Sequence, residues 1–526
     1  MTSLQTIASC IADYDPNALP VSAARAIVRQ WATPVATVER LALREALDRV
    51  LADDVVSPLD VPAHDNSAMD GYAFDGTALE RGGTIRLRVA GTALAGRPHD
   101  ARVRTGDCIR VMTGAMLPPD CDTVVPQEQV EIDVNGSIQF PATALTRGAN
   151  RRRAGEDLRA GHAALLAGRT IRASDLGLLA SLGIAEVPVR RRLRAAFFST
   201  GDELRSLGQP LEPGCVYDSN RYTLYGMLRR LNLDVIDLGV VPDNRRALET
   251  TLRNAAATAD VVLSSGGVSV GDADYTRELM DTLGDVAFWR VAMRPGRPFA
   301  FGRIGSGAHA SESRDALYFG LPGNPVAAMV AFYQIVRDAL IAMTGALPHP
   351  APLVRASALD AIGKRPGRTE YPRGIARRRD DGHWEVTLTG AQGSGILRSM
   401  SDANCFVILD HHRGPVAVGD TGRAATFANA RRRFDMKKQI SYIAPGQTAK
   451  ALILVYLTFS VPIMLLGVLV ALIRYGSVEL STVFSALILN ALLGFVLLWI
   501  ACRAYNWVAS RFGGIEIVLS DASEEA

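Results

Sequence analysis

Apolar and polar stretches alternate in a regular order between residues 194 and 342. Four short apolar runs predict β-strands, and they stand at 194–200, 234–241, 260–265 and 315–320. Segments of helical composition follow each of them, which predicts a parallel sheet covered by helices on both faces. In such sheets ligands bind beyond the carboxyl ends of the strands. We therefore expect the loops "STGDEL", "SSGGVSVGDADY" and "LPGNP", which follow three of the strands, to line one crevice.

The regions on either side of this part have a different pattern. Residues 57–150 and 352–428 contain short apolar runs among many Val, Thr, Gly and Pro residues. Short strands separated by turn residues are typical of all-β modules. The sequence therefore predicts two small β-rich modules that flank the α/β part.

The composition changes near residue 436, beyond which two long uncharged apolar runs occur, Ala451 to Ile473 and Val483 to Cys502. Each is long enough to cross about 30 Å of hydrocarbon as an α-helix. The alternative is a pair of buried core helices, although core helices of soluble proteins seldom stay uncharged over this length. Because the connector "RYGSVELST" is short, the two helices are expected to form a transmembrane hairpin.

Basic residues mark the orientation of this hairpin. They flank its open end at Lys437, Lys438, Lys450, Arg503 and Arg511, whereas the connector contains only Arg474. By the positive-inside rule both termini are cytoplasmic, so the large N-terminal part is expected at the inner face of the membrane. The stretch that begins at Met436, "MKKQISYIAPGQTAK", reads like the start of a separate membrane protein. A natural fusion, an engineered fusion and a joined gene model all fit it.

Composition and charge narrow the class of protein. A chain of 526 residues is too long for one core, so several domains are expected. A formal net charge of +3 with 21% charged residues does not suggest bulk nucleic-acid binding. Six scattered cysteines without a C-x-x-C pair indicate a reducing compartment and argue against a cysteine zinc site. The N-terminus lacks the basic region of a secretory signal.

The loop "SSGGVSVGD" lacks the G-K-[ST] ending of a P-loop. A glycine-rich loop between a strand and a helix is either a tight turn or a phosphate site. Asp272 and Asp274 stand near the helix start, where they are either helix caps or ligands of a divalent cation beside a phosphate. Asp243 and Glu203 follow other strands and are further cation candidates, while Asp202 fits a simple helix cap.

Three arginines, Arg290, Arg294 and Arg297, stand close together in "RVAMRPGRPFAFG". A solvated basic face is the ordinary explanation of such a cluster. Proline and glycine between the arginines instead favour a shaped loop that binds an oxyanion. The loops together indicate a phosphate-bearing ligand, a divalent cation and a separate anion.

Nine motifs in a fixed order carry a resemblance to a known family. They are "PLDVPAHDNSAMDGYAF", "IRVMTGAMLP", "RRRAGEDL", "FSTGDEL", "YDSNRYTL", "SSGGVSVGDADYT", "RPGRPFAFG", "GLPGNPVAA" and "GAQGSGILRSMSDANCF". Together they closely resemble the molybdopterin molybdenumtransferases of the MoeA and gephyrin E-domain family. The resemblance covers residues 10 to 430, approximately, and residues 436 to 526 lie outside it.

The resemblance implies an activity and a set of partners. Family members take adenylylated molybdopterin and molybdate as substrates, and release AMP and molybdenum cofactor with the help of a divalent cation, here expected to be Mg²⁺. They work as homodimers, with a cleft between the α/β domain of one subunit and the "DNSAMDGYA" region of the other. The resemblance also suggests molybdopterin adenylyltransferase and molybdoenzymes as partners, and no nucleic acid.

The resemblance also implies roles for individual residues. The catalytic positions carried over are Asp70, Thr113, Asp157, Glu203, Asp243 and Asp274, with Asp243 and Asp274 as the metal ligands. The substrate-binding positions are Ser265, Gly266, Gly267, Ser269, Gly271, Arg290, Arg294, Arg297, Pro322, Gly323, Asn324, Pro325 and Ser394. Arg290 and Arg294 stand where family members often have lysine, and Asn244 stands where a second aspartate is common.

The expected fold is multidomain, α/β plus β, and ends in the two-helix transmembrane hairpin. The predicted parts are an elongated two-segment domain (8–56 and 155–188), an inserted β-rich domain (57–154), a central α/β domain with a mostly parallel sheet (189–348), a C-terminal β-barrel (352–430), a linker (431–449), the hairpin (450–503) and a cytoplasmic tail (504–526).

Two other functions remain open at this point. A molybdopterin adenylyltransferase would share the α/β domain, but the "DNSAMDGYA" half and the C-terminal β module argue against it. A non-catalytic membrane-tethered scaffold of gephyrin type is the second, although the acidic and basic loops favour a retained active site.

Overall fold

The computed structural model describes residues 19–268, 275–305, 315–348 and 352–427, together with 437–440, 468, 473–474, 480–512 and 515–518. The chain divides into two compact units, Met1–Phe427 and Ala428–Ala526. The first unit contains an α/β domain and a C-terminal β-barrel.

The α/β domain is built on a six-stranded sheet. Its strands follow one another in space as Asp234–Val241, Arg194–Thr200, Val261–Ser265, Ala316–Leu321, Pro298–Ile304 and Gly284–Arg290. The first four are mutually parallel and match the four apolar runs of the sequence. The last two are antiparallel additions at one edge, which the sequence analysis did not assign.

Alternate residues of the parallel strands enter two different cores. Phe197 belongs to the larger hydrophobic cluster on one face, whereas Ala196 and Phe198 belong to the cluster on the other. A strand buried on both faces needs apolar residues at nearly every position, which explains the unbroken runs in the sequence. The covering helices are Ser219–Arg229, Arg245–Thr258, Tyr275–Leu283, and Pro325–Ala331 continued through Phe332–Val336 to Arg337–Thr344.

By residue type the sequence predicts Ser219 or Asn220 as the N-cap of the first covering helix, but the structure places the cap at the residue before them. Asp218, rather than Ser219 or Asn220, caps the helix Ser219–Arg229, because its carboxylate accepts a hydrogen bond from the backbone N–H of Arg221. Asn244 caps the helix Arg245–Thr258 in the same way. Asn220 therefore lies in the first turn of the helix, and it lines the cleft described below.

Residues before the α/β domain form two further parts. A six-stranded sheet contains Thr123–Pro126, Gly71–Phe74, Asp107–Val111, Thr84–Ala93, Ile138–Pro141 and Glu131–Ile132 in that spatial order. Outside it, the strand Val38–Ala42 pairs with Glu186–Arg190, and Val55–Val56 pairs with Ala163–Leu165. These two pairings join chain segments that are far apart in the sequence. The α-helices described for this region are Val21–Trp31 and Ala173–Ser181.

The C-terminal part of the first unit is a closed β-barrel. Its strands are Leu353–Ala358, Trp384–Leu388, Arg373–Arg378, Cys405–Ile408 and Thr421–Thr426, in spatial order. A short parallel pairing joins it to the α/β domain, because Met293–Arg294 lies beside Thr369–Glu370. This contact brings the barrel next to the carboxyl ends of the parallel strands.

The second unit contains a long helix, Leu480–Phe512, which includes the second apolar run. The strands Lys437–Ile440 and Ile515–Val518 pair antiparallel. The first apolar run, 451–473, lies almost entirely outside the described residues. Within the part of the chain that the structure describes, one helix, Pro325–Thr344, meets the length and hydropathy of a membrane span. Of its apolar 18-residue window, 67% is buried within the first unit, as in the core helix of a soluble domain, so the hairpin is not supported by this finding.

Candidate active site

A cleft of about 1230 Å³ lies where the carboxyl ends of the parallel strands meet the barrel. All three loops that the sequence predicts to share a crevice contribute to it, through Thr200, Gly201 and Glu203, through Ser265 to Val268, and through Pro322 to Pro325. The barrel supplies Gly367, Arg368 and the segment from Gln392 to Gly395. The prediction of one shared crevice is confirmed, and the barrel forms a wall of it.

The glycine loop needs its glycines where it enters the cleft. Gly266 and Gly267 have φ values of 91° and 65°, a conformation that L side chains rarely adopt. A Cβ on Gly266 would lie 2.3 Å from the carbonyl oxygen of Thr200. The N–H of Gly266 donates to the carbonyl oxygen of Leu321 at 3.0 Å, which fixes the loop to the neighbouring strand at the point where it enters the cleft. Ser269, Gly271, Asp272 and Asp274 lie outside the described residues.

Asn220 ties two of these loops together. Its Nδ2 donates to the hydroxyl of Ser265 and to the carbonyl oxygen of Gly323, both at 2.7 Å. The side chain of Asn220 is buried, and its Oδ1 has no hydrogen-bond partner within the described part of the chain. Sequence reasoning treated Asn220 as a helix cap, and only its place in "YDSNRYTL" pointed to the site.

An acidic edge lies on the same cleft. Glu203 and Asp243 line it, and the backbone nitrogen of Asp243 lies 3.5 Å from Oδ1 of Asp202. Burial raises the pKa of Asp243 above its ordinary value, and the neighbouring carboxylates of Asp202 and Glu203 raise it further. Carboxylates that repel one another in this way favour a bound cation. Among the described residues no group of three or more metal-binding side chains occurs, and Asp274 is outside that part.

Arginines form a basic wall of the cleft. Arg294, Arg297 and Arg368 line it, whereas Arg290, which lies on the strand Gly284–Arg290, is not among the lining residues. Nε of Arg368 donates to the buried carboxylate of Glu370 at 2.8 Å. Sequence reasoning missed Arg368, because "GRTEYPRG" follows the α/β domain by many residues and no local pattern links it to the cleft.

The barrel loop that carries Ser394 is fixed from beneath. Nη2 of Arg373 donates to the carbonyl oxygen of Gly393 at 3.0 Å, and its Nε donates to the hydroxyl of Ser399 at 3.1 Å. Arg373 is buried, which lowers its pKa, and the nearby charge of Arg294 lowers it further. The backbone of Ser394 in turn accepts a hydrogen bond from the N–H of Val326. The loop is therefore held by both domains.

Three of the carried-over positions lie away from this cleft within one subunit. Oδ1 of Asp70 accepts hydrogen bonds from the backbone N–H and the hydroxyl of Thr113, both at 2.7 Å. These two bonds, the backbone one first, lower the pKa of Asp70 and keep it ionised. Asp157 is exposed, and neither it nor Asp70 and Thr113 is among the lining residues. If the active site is shared between two subunits, as the resemblance implies, these three residues are expected to lie away from the cleft of their own subunit.

Comparison with known families covers the first unit in three consecutive matches. Residues 19–183 match the "MoeA N-terminal region (domain I and II)". Residues 196–342 match the "Probable molybdopterin binding domain". Residues 355–422 match the "MoeA C-terminal region (domain IV)".

Individual relatives agree with these matches. A molybdopterin molybdenumtransferase of Haemophilus influenzae is 41% identical over 384 residues, which are 73% of this chain and 92% of the relative. Molybdopterin molybdenumtransferase 2 of Mycobacterium tuberculosis is 35% identical over 387 residues, 72% of this chain and 92% of the relative. The crystal structure of a molybdopterin biosynthesis moeA protein from Pyrococcus horikoshii matches with a TM-score of 0.66 at 27% identity, over 78% of this chain and 100% of that one. The chain therefore belongs to the MoeA family.

Proposed function

We propose that the chain is a molybdopterin molybdenumtransferase, which inserts molybdate into adenylylated molybdopterin and releases AMP and molybdenum cofactor. The observation that carries this is one cleft in which a glycine loop, an acidic edge and a basic wall meet. The glycine loop suits the phosphates, the carboxylates suit a cation at the phosphoanhydride, and the arginines suit an oxyanion. The names of the relatives support the same reaction.

The residues present fit a divalent cation such as Mg²⁺. Asp243, together with Asp274, would hold it, because hard cations prefer carboxylate oxygens and the acidic edge concentrates negative charge at Asp243. When bound, the cation would neutralise phosphate charge as AMP leaves. The chain's own groups would position the substrates: the backbone of the glycine loop from Gly267 onward would hold phosphate, and Arg294, Arg297 and Arg368 would hold molybdate.

A direct assay separates this function from the nearest alternative. Purified protein given adenylylated molybdopterin, Mg²⁺ and molybdate is expected to release AMP at a rate that depends on molybdate. A molybdopterin adenylyltransferase would instead consume ATP and molybdopterin. Consumption of ATP without molybdate-dependent AMP release would contradict the proposal, and activity in neither assay would favour the scaffold.

The same proposal includes a homodimer and a membrane tether, with the enzyme part on the cytoplasmic side. The tether is supported by the second unit. Its helix Leu480–Phe512 covers one apolar run, and the pairing of Lys437–Ile440 with Ile515–Val518 brings the two flanks of the apolar region together, as a hairpin requires. The guanidinium of Arg503 lies 4.3 Å from the ring centre of Trp499, near the end of the run. Aromatic and basic residues at that place are typical of a membrane interface.

Fractionation of cells tests the tether. The full chain is expected in the membrane fraction and to need detergent for release, because two uncharged runs of this length favour hydrocarbon over water. A chain that ends at Phe434 is expected to remain soluble and to keep molybdate-dependent AMP release, because the six hydrophobic clusters described for the chain contain no residue beyond Phe427. Recovery of the full chain in the soluble fraction without detergent would contradict the tether.

A further inference from the structure

Glu370 is a buried carboxylate at the junction of the α/β domain and the barrel. Its side chain is only 7% exposed, and it lies next to two arginines of the basic wall. Nε of Arg368 is 2.8 Å from its Oε1, and Nη1 of Arg294 is 3.8 Å from its Oε2. A carboxylate buried to this extent is stable only when it is paired, so its position and those of the arginines depend on one another.

The backbone of Glu370 is fixed from both sides. Its N–H donates to the carbonyl oxygen of Leu409 in the barrel at 2.9 Å. The neighbouring N–H of Tyr371 donates to the carbonyl oxygen of Arg294 in the α/β domain at 2.9 Å. The backbone of Glu370 is therefore held in place where the two domains meet.

The contact leaves the binding atoms of Arg368 available. The hydrogen bond described for Arg368 uses Nε, so the terminal groups Nη1 and Nη2 remain as donors for a ligand. The side chain of Arg368 is 41% exposed and lines the cleft. A guanidinium held at Nε presents a fixed fork of donors, which suits an oxyanion better than a guanidinium that rotates freely.

We infer that Glu370 is a positioning residue that sets Arg368, and with it Arg294, for an oxyanion substrate in the cleft. Glu370 does not touch the substrate itself. It holds one arginine from each domain in a single arrangement. Because the N–H donors are ordered before the anion binds, less conformational entropy is lost on binding. The inference rests on the proposed function, in which that oxyanion is molybdate.

Two substitutions of Glu370 distinguish an effect of the position of its side-chain oxygen from an effect of its negative charge. Glu370→Gln keeps an oxygen at the distance of the hydrogen bond to Arg368 but removes the negative charge. Glu370→Asp keeps the charge but shortens the side chain by one methylene group, which withdraws the oxygen from Nε. If position matters, Glu370→Asp weakens molybdate binding about tenfold, the value of one charge-assisted hydrogen bond, while Glu370→Gln stays within about threefold of the native chain.

An effect of charge alone would give the opposite order. Loss of a negative charge beside two arginines would tighten anion binding in Glu370→Gln, and Glu370→Asp would behave like the native chain. A merely structural role would lower the melting temperature of both variants and leave molybdate affinity unchanged. Either result would overturn the inference.

The measurements are calorimetric titration of the full chain with sodium molybdate and steady-state AMP release. The KM for molybdate is expected to rise in Glu370→Asp, with kcat and the KM for adenylylated molybdopterin within about twofold, because the loss concerns one substrate only. Asp175→Asn is the matched control: Asp175 is also buried, pairs with Arg169 at 2.7 Å and does not line the cleft. It is expected to lower stability and leave the KM for molybdate unchanged.

The two readouts separate this inference from the proposed function. If the native chain binds molybdate but releases no AMP, the proposed function fails, while the order of affinities in the two Glu370 variants still decides the role of Glu370. If the native chain does not bind molybdate at all, the inference is overturned.

Discussion

Asp243→Asn is expected to slow AMP release about a hundredfold, which is typical when one main electrostatic contact of a site is lost. The carboxylate lies on the cleft, and its neighbours Asp202 and Glu203 make it the point where negative charge concentrates. The variant keeps the shape of the side chain, so folding should change little. Single-turnover AMP release is measured against Mg²⁺ concentration, with the affinity for adenylylated molybdopterin determined separately. Normal turnover with normal Mg²⁺ dependence would show that Asp243 does not hold the cation.

The pH dependence of Mg²⁺ affinity gives a second test of the role of Asp243. Because the pKa of Asp243 is raised above its ordinary value, protonation competes with the cation at a higher pH than for an ordinary aspartate. Apparent Mg²⁺ affinity of the native chain is therefore expected to fall as the pH decreases through that raised pKa. Asp243→Asn should remove this part of the pH dependence. Asp237→Asn is the matched control, since Asp237 lies on the strand Asp234–Val241 that precedes Asp243, pairs with Arg221 and does not line the cleft.

Mixing two inactive variants, Asp70→Ala and Asp243→Ala, is expected to restore activity if the cleft is shared between subunits. Asp70 is held by Thr113 away from the cleft of its own chain, whereas Asp243 lines that cleft. In a hybrid dimer one of the two clefts would contain both native residues. After complete exchange of equal amounts, about a quarter of all clefts should be native, as follows for a two-fold symmetric dimer.

The exchange itself must be shown, for example by purifying the hybrid through different tags on the two variants. Each variant mixed with itself is the control and should stay inactive. A purified hybrid dimer with background activity would show that Asp70 and Asp243 do not serve one cleft.

Much of the α/β domain could be predicted from the sequence because its strands are buried on both faces. The run "RAAFFST" has its predicted bounds, Arg194–Thr200, since every one of its positions except the first is buried. The antiparallel strands Gly284–Arg290 and Pro298–Ile304 escaped prediction, because arginine, proline and glycine between them indicated only a loop. The positive φ of Gly266 fits the glycine-rich loop that the sequence places after a strand.

The tertiary structure decided which arginines line the cleft. Arg290, Arg294 and Arg297 look equivalent in the sequence, yet Arg290 is not among the lining residues, because it belongs to the edge strand and pairs there with Pro298. Arg368 joins the wall through the contact of the barrel with the α/β domain. The sequence by itself determined three things about this protein. The four apolar runs determined the sheet, the polar loops after them determined the place of its cleft, and the ordered motifs determined the family. This was possible because periodicity and turn chemistry are local. The arginines and carboxylates that meet in the cleft were decided by the packing of domains that lie far apart in the chain, and no local pattern contains that information.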